Sequence, residues 1–494
     1  TRFIFYIIML NYINMTAGTL LHMANKGPED KFLYGNPKMT YFKNVFTKAR
    51  NFSFEFNKVT KSDGKIDLGR TVRVEIPSIG DLLSGVYLDF KLKDLKRTQN
   101  YTQKNTITDS NGLVALQVDD SLEPVFTSYV NGVGYNIIKE IKLLIGGVMI
   151  QKLNAELIFL INELHTDYNK TFSFRKMTRY STTFSTGNTN QQNMTCHVQL
   201  PFFFSKDPGQ YLPLCALTSS KIELEITLRS FEEILVRDFN TIPTGVVVPG
   251  TNGYQISNAE LIGLGTVPAS NEKYMEDVVG GLEYFDIITQ NVYLDPEDQK
   301  LFKIAPKLDY MIELYHIGNE EHFNNPTGNS TYRVDIECKH PTKYIMWILQ
   351  REDVKDAHIY ENYSTDFDYR YGQGFYAFDA DSHLINGTDI FVNNTAILDG
   401  INPVFISKAT IYERFKGCNL SPFYVYNFAL NPYSNEPTGS FNLSVYKKKS
   451  FEVSLVDEDK YTNGAVKTDI LFRYYTSYFN ILLISDGMAG LLYN

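Results

Sequence analysis

Apolar and polar residues alternate with period two in several separate runs of this chain. Phe52, Phe54 and Phe56 alternate with Ser53 and Glu55, and Val72, Val74 and Ile76 alternate with Arg73 and Glu75 until Pro77 stops the run. The longest clean example sets Ile222, Leu224, Ile226 and Leu228 against Glu223, Glu225 and Thr227. Tyr332, Val334 and Ile336 repeat the pattern against Arg333, Asp335 and Glu337, and Phe451, Val453 and Leu455 repeat it again. Successive side chains of a strand point to opposite faces, so each run predicts a strand with one buried and one wet face, as in antiparallel sandwiches. The stretch from Leu143 to Ile150 reads as a hairpin turned by Gly146-Gly147.

Helical spacing is rare. Leu157, Ile161 and Leu164 predict one short packed helix after that hairpin, and Leu20, Leu21 and Met23 suit a short turn near the start. Strands never alternate regularly with long helices, which disfavours a doubly wound α/β fold. Polar segments rich in Asn, Thr, Gly and Asp at 98–110, 181–193, 240–258, 322–330 and 362–402 read as long loops, a kind of segment that usually presents function. A strand-like run ends at Asp295-Pro296-Glu297-Asp298, and a coarse division falls near Leu301 to Leu308. The economical fold class is all-β: two tandem antiparallel sandwiches with short helices and long loops.

Length and composition agree. A chain of 494 residues is too long for one ordinary domain. Aromatics make up 14%, with Tyr 34 and Phe 34 against one Trp, a balance that suits pleated, half-buried surfaces. A net charge of -9 argues against a protein that grips nucleic-acid phosphates. The Lys447-Lys448-Lys449 run reads as a charged loop or strand edge. Four cysteines, Cys196, Cys215, Cys338 and Cys418, form no Cys-x-x-Cys pair and read as buried thiols rather than a disulfide framework. The apolar stretch Phe3 to Leu10 is far shorter than the roughly 20 residues that span a bilayer.

Candidate chemistry is thin. None of the eight histidines forms His-x-His, and His-Glu-x-x-His is absent. His316 and His322 with Glu320 and Glu321 read as solvated surface rather than a metal site. Asp379, Asp381 and His383 lack the fixed Gly and distal Glu of a calcium loop. Gly132-Val133-Gly134 and Gly372-Gln373-Gly374 lack the third glycine of a dinucleotide loop. No catalytic residue, cofactor or metal ligand is nominated, and the chain reads as a non-enzyme. Sequons at Asn193, Asn329, Asn386, Asn393 and Asn442 mark glycan-compatible segments.

Several segments, taken in order, resemble the major capsid proteins of nucleocytoplasmic large DNA viruses, the group of iridoviruses, phycodnaviruses and mimivirus-like viruses. Gly18 to Ala24 precedes Gly35-Asn36-Pro37 with Thr40, Phe42 and Lys43, similar to the family's opening signature. The Gly146-Gly147 hairpin with its following helix comes next, then Val292-Tyr293-Leu294-Asp295 with Phe302. His340-Pro341-Thr342-Lys343 leads to Met346-Trp347. Near the end stand Phe428 and Pro432 in Tyr424 to Pro432, Gly439 in Pro437 to Asn442, and Gly487 and Gly490 in a glycine-rich tail. Met15 stands where proteins of that family usually start, so Thr1 to Asn14 reads as an extension. The stretch 412–421 keeps Glu413-Arg414-Phe415 but lacks the family's aromatic, His-rich continuation, which leaves the shape of one outer loop open.

The resemblance implies a double jelly roll of two eight-stranded barrels. It divides the chain into an inward-facing arm (1–37), a first roll with long loops (38–303) and a second roll (304–494). It implies a homotrimer that forms a pseudo-hexagonal capsomer of an icosahedral shell, assembled in the host cytoplasm. The partners it implies are neighbouring capsomers, minor capsid and penton proteins and internal membrane-associated proteins, with no direct contact to nucleic acid. The alternative reading is a viral surface carbohydrate-binding β-sandwich, since aromatic loops often stack on sugars.

Overall fold

The computed structural model describes residues 16–24, 27–28, 35–37, 40, 42–43, 48–60, 62–97, 127–180, 194–237, 278–324, 330–356, 358–365, 383–417, 421–456 and 469–493. The chain divides into two units, Thr1–Asn51 and Phe52–Asn494. In the first, helix α1 (Ala17–Ala24) replaces the short turn expected there. Gly35, Asn36 and Pro37 form an exposed bend with Asn36 at φ 51°, and Phe42 is fully exposed.

The second unit is built from sixteen principal strands, named here in chain order. β1 (Phe52–Val59), β2 (Thr71–Ile76), β3 (Leu82–Leu92), β4 (Ile138–Ile145), β5 (Val148–Leu153), β6 (Met194–Gln199), β7 (Ile222–Leu228) and β8 (Leu282–Leu294) come first. β9 (Lys307–Ile317), β10 (Thr331–Asp335), β11 (Pro341–Arg351), β12 (Ile385–Val392), β13 (Thr395–Leu398), β14 (Tyr424–Asn427), β15 (Lys449–Leu455) and β16 (Ile470–Ser485) follow. The first eight make sheets of order β1-β8-β3-β6 and β2-β7-β4-β5; the second eight make β9-β16-β11-β14 and β10-β15-β12-β13. The second order is the first with every strand advanced by eight. All these pairings are antiparallel, and among the described residues none joins a strand of the first set to one of the second.

Alternation earns its strands where one face is wet. In β7 every apolar residue is buried and every polar one half-buried, paired to β2 on one side and β4 on the other. The β4–β5 turn has Gly146 at φ 59° and Gly147 at φ 82°, positive values that a two-residue turn of this kind requires. β11 behaves differently: Thr342 to Arg351 is buried throughout, one face in its own sandwich and the other against the first. A strand covered on both sides has no polar face, so it shows no alternation.

Helix α2 (Ala155–His165) forms where Leu157, Ile161 and Leu164 predict it, capped by the Asn154 side chain, which accepts the Leu157 N–H at 2.8 Å. It is buried nearly all round, as befits a helix packed between layers.

Other expectations need correction. The polar segment 362–402 contains β12 and β13, which alternation misses because Thr388 fills an inward position and a bulge follows Ile385. The strand-like run ends at Leu294, and the coarse division expected near Leu301 to Leu308 begins inside helix α4 (Pro296–Ile304), with Pro at its first position and Glu297 and Asp298 near the positive end of its dipole. The supposed outer loop at 412–421 begins inside helix α5 (Pro403–Arg414), whose Asn402 side chain accepts the Val404 N–H. A further helix, α3 (Tyr168–Thr178), follows α2. The apolar row of β1 is not buried either: Phe52, Phe54 and Phe56 are 56%, 49% and 61% exposed, and Ser53 and Glu55 between them are exposed too.

Candidate functional site: the junction and the exposed faces

Two sandwiches of the same design meet across a junction in which charge is buried. Glu313 of β9 lies at its centre, buried, with one carboxylate oxygen 2.9 Å from the Lys343 ammonium of β11 and 3.3 Å from the Lys206 ammonium of the first sandwich. Its other oxygen accepts hydrogen bonds from Ser477 and from Tyr315 at 3.2 Å. Burial alone would raise the Glu313 carboxyl, but the two ammonium groups outweigh it and hold the carboxyl well below the usual carboxylate range. Lys206 also donates to the Tyr315 hydroxyl at 2.8 Å. His165, at the end of α2, lies 2.8 Å from the Tyr344 hydroxyl; burial, then Lys206, push its imidazole down to about 3, so it is neutral.

A second cluster joins α2 to β16. Arg473 grips Glu156 with Nε and Nη2, each 2.8 Å from a separate carboxylate oxygen, and reaches Glu320 at 2.7 Å through Nη1. Tyr363 and Tyr475 donate to the same Glu156. A third contact places the Glu361 carboxyl against the Tyr135 hydroxyl at 3.0 Å and the Asn136 amide. Here no cation stands close enough to offset burial, and the carboxyl is pushed up to about 7. Backbone clasps complete the junction: Ser219 N–H donates to Gly487 O at 3.0 Å and Gly417 N–H to Leu164 O at 2.9 Å. A side chain at Gly417 would strike the Glu163 carbonyl, so only glycine allows that approach. The apolar core runs through the junction too, with Met346, Ile348 and Tyr475 continuous with the interior of the first sandwich.

The sequence-singled residues scatter over the molecule. Gly146 and Gly147 turn the β4–β5 hairpin; Asp295 precedes α4, and its carbonyl accepts the Gln299 N–H. His340 stacks on Tyr478 at 4.4 Å, and Pro341 opens β11. Trp347 is wholly buried between Tyr424 and Phe451 in the second sandwich. Phe428 stacks on Phe441 at 5.1 Å, Pro432 is buried, and Gly439 at φ 138° leaves room for the Phe428 carbonyl. Gly487 at φ 76° forms the turn after β16 and touches Thr218 and Ser219, while Gly490 lies in the short strand Met488–Leu491. Of this set Gly487 lies at the junction, and the strand that holds Gly490 packs against β4 and β5 of the first sandwich.

The weak chemical candidates stay apart. His316 and His322 do not converge; His322 faces Glu320 at 3.5 Å and His316 is half-buried. His383 is buried beside the Tyr424 hydroxyl at 2.8 Å; Asp379, Asp381, Gly372 and Gly374 lie outside the described residues. Gly132 caps the helical turn Val133–Asn136, and Gly134 lies inside it against Thr178; this is not a phosphate loop. Among the described residues no cluster of His, Cys, Asp or Glu is arranged to hold a metal. Cys196 and Cys338 are buried thiols and Cys215 is half-buried; Cys418 lies outside the described residues. Lys449 corrects the reading of its run: only Lys447 and Lys448 are exposed, while the Lys449 ammonium is buried and donates to Cys338 O at 2.7 Å and Leu443 O at 3.0 Å. Of the sequon asparagines, Asn386, Asn393 and Asn442 are exposed, and Asn193 and Asn329 lie outside the described residues.

Sequence reasoning missed the junction. The available signal was a polar residue interrupting an apolar strand, Glu313 between Ile312 and Leu314 or Arg473 between Phe472 and Tyr474. Their charged partners lie from 30 positions away, for Lys343 and Glu313, to 317, for Glu156 and Arg473, which local pattern cannot supply.

Known proteins share this architecture. Residues 40–263 match the family "Major capsid protein N-terminus", and residues 303–490 match "Large eukaryotic DNA virus major capsid protein". The chain is 22% identical to the major capsid protein of Paramecium bursaria Chlorella virus 1, over 97% of this chain and 99% of that protein. It is 24% identical to the major capsid protein of Pyramimonas orientalis virus, over 97% of this chain and 100% of that protein. Its fold resembles the PBCV-1 virus capsid structure with a TM-score of 0.65 at 19% identity, over 92% of this chain and 100% of that one. The Faustovirus major capsid protein gives a TM-score of 0.64 at 11% identity, over 93% of this chain and 95% of that one. At these identities the likeness establishes the fold, a double jelly roll.

Proposed function

The chain belongs to the major capsid proteins of large eukaryotic DNA viruses, a structural, non-enzymatic component of the icosahedral shell, and we propose that it works there as a homotrimeric, pseudo-hexagonal capsomer. Self-association within the shell follows from that membership; the trimer is the finer reading. The observation that carries it is the repetition of one strand order in two sandwiches joined by buried ion clusters. Two like blocks held rigidly in one chain let a threefold assembly present six similar flanks, a closed arrangement that can tile.

In this reading residues 38–303 and 304–494 are the two rolls, supported by strand pairing that, among the described residues, does not cross between β8 and β9. Residues 1–37 form an arm towards minor capsid proteins or proteins of an internal membrane, and the flanks meet neighbouring capsomers and penton proteins. The residues shared with the family signature act as structural supports, and the exposed Asn386 and Asn393 are candidate glycan acceptors. The net charge of -9 suits a shell that does not hold the genome itself.

Sedimentation equilibrium of the full chain tests the trimer. The expected mass is about 170 kDa, three times the 56.6 kDa chain, with a threefold, pseudo-hexagonal outline in electron micrographs. A particle of single-chain mass at all concentrations overturns it.

A further inference from the structure

β1 carries its hydrocarbon on the wrong side for a lone sandwich. Phe52, Phe54 and Phe56 face outward together, while Ser53, Glu55 and Asn57 occupy the other face. Phe54 stands opposite Val292 and Phe52 opposite Leu294 in the neighbouring β8. β1 is also the terminal strand of its sheet, hydrogen-bonded to β8 alone among the described strands. Terminal strands are normally blunted with charge because they invite pairing. This one instead displays an aromatic row.

We propose that the Phe52–Phe54–Phe56 face is buried against a second copy of this chain in the capsomer, an inference that rests on the trimer reading above. Area supports the assignment. A phenylalanine can bury about 150 to 250 Å², so three that are half-exposed leave on the order of 300 Å² of apolar surface, the size of the largest patch on a typical monomer, which is often a functional one. A stable interface hides about 800 Å² on each partner, and this row supplies its apolar centre. The Lys58–Asp286 ion pair at 2.6 Å continues the same outward face beyond Phe56. An aromatic centre edged by solvated charge is the usual anatomy of a protein–protein interface.

The test uses the full chain carrying Phe52→Ser, Phe54→Ser and Phe56→Ser together. These side chains are outside the core, so the variant should keep the wild-type circular dichroism, while its trimers dissociate at concentrations at least 100-fold higher than wild-type trimers do. A variant with unchanged trimer stability overturns this inference and leaves the trimer reading standing. A wild-type chain that is monomeric overturns both. A photo-crosslinking amino acid at position 54 in the otherwise wild-type chain supplies the second measurement. A band of two-chain mass is expected; a crosslink only within one chain, to residues 1–51, shows that the chain covers its own row and overturns the inference.

Discussion

Arg473 and Glu156 are 317 positions apart in the chain and meet through two parallel hydrogen bonds of 2.8 Å at the junction of the two rolls. The fork geometry of guanidinium and carboxylate makes this the best-directed ion pair of the junction. Both side chains are largely buried, at 12% and 16% exposure, so neither charge can turn to solvent if its partner is removed.

Arg473→Ala leaves Glu156 buried without its cation. Loss of one partner of such a pair costs about 3 to 5 kcal/mol, discounted towards the lower figure here by the residual exposure. Urea denaturation should show that loss, and Arg473→Lys should recover only part of it because the fork is gone. A change under about 0.5 kcal/mol would mean the pair behaves as a surface bridge.

Glu361 gives the protein a pH dependence of definite sign. Its folded carboxyl is pushed up to about 7, above its ordinary value of 4.5, so it keeps its proton where the unfolded chain has released it. The stabilisation is fully present below about pH 4.5 and is lost as pH rises through about 7. Glu361→Gln retains an oxygen to accept from Tyr135 and Asn136 but cannot ionise. It should match wild type at about pH 4 and exceed it at pH 8 by roughly 3 kcal/mol, the size of a shift of two to three pKa units. Equal stability of the two proteins at pH 8 counts against the assignment.

Leu224 is fully buried in the centre of β7. Leu224→Asp places an unpaired carboxylate inside the first roll and should cost several kcal/mol. Soluble yield is the readout; a normal yield of trimer contradicts the burial.

Gly146 sits at φ 59°, and an added Cβ would come within 3.0 Å of the Ser220 hydroxyl. Gly146→Val should destabilise by about 1 to 2 kcal/mol or more, because a branched side chain resists left-handed backbone. Gly146→Asn, which tolerates that conformation, should lose much less. Thermal melts of the two variants that coincide would refute the turn argument.

Legibility followed local chemistry. β2, β7, β10 and β15 are plain in the sequence because their inward positions carry hydrocarbon and their outward ones mainly polar groups. β12 is hidden by Thr388 at an inward position and a bulge, and α4 by a Pro-acidic start that serves turns equally well. Lys449 could not be told from its exposed neighbours, since only the folded chain brings the Cys338 and Leu443 carbonyls to its ammonium.

What the sequence by itself determined is the grammar of the fold: an antiparallel β protein, its Gly-Gly hairpin, one packed helix and an ordered set of segments shared with a capsid family. These are properties of residues close together along the chain. Tertiary structure decided which face of each strand is inner, so that Phe54 lies outside while Met346 is buried. It also decided which charges meet, pairing Lys206 with Glu313 and Glu156 with Arg473. Burial and charge pairing depend on distances across the folded chain, and alternation reports only that a strand has two unlike faces.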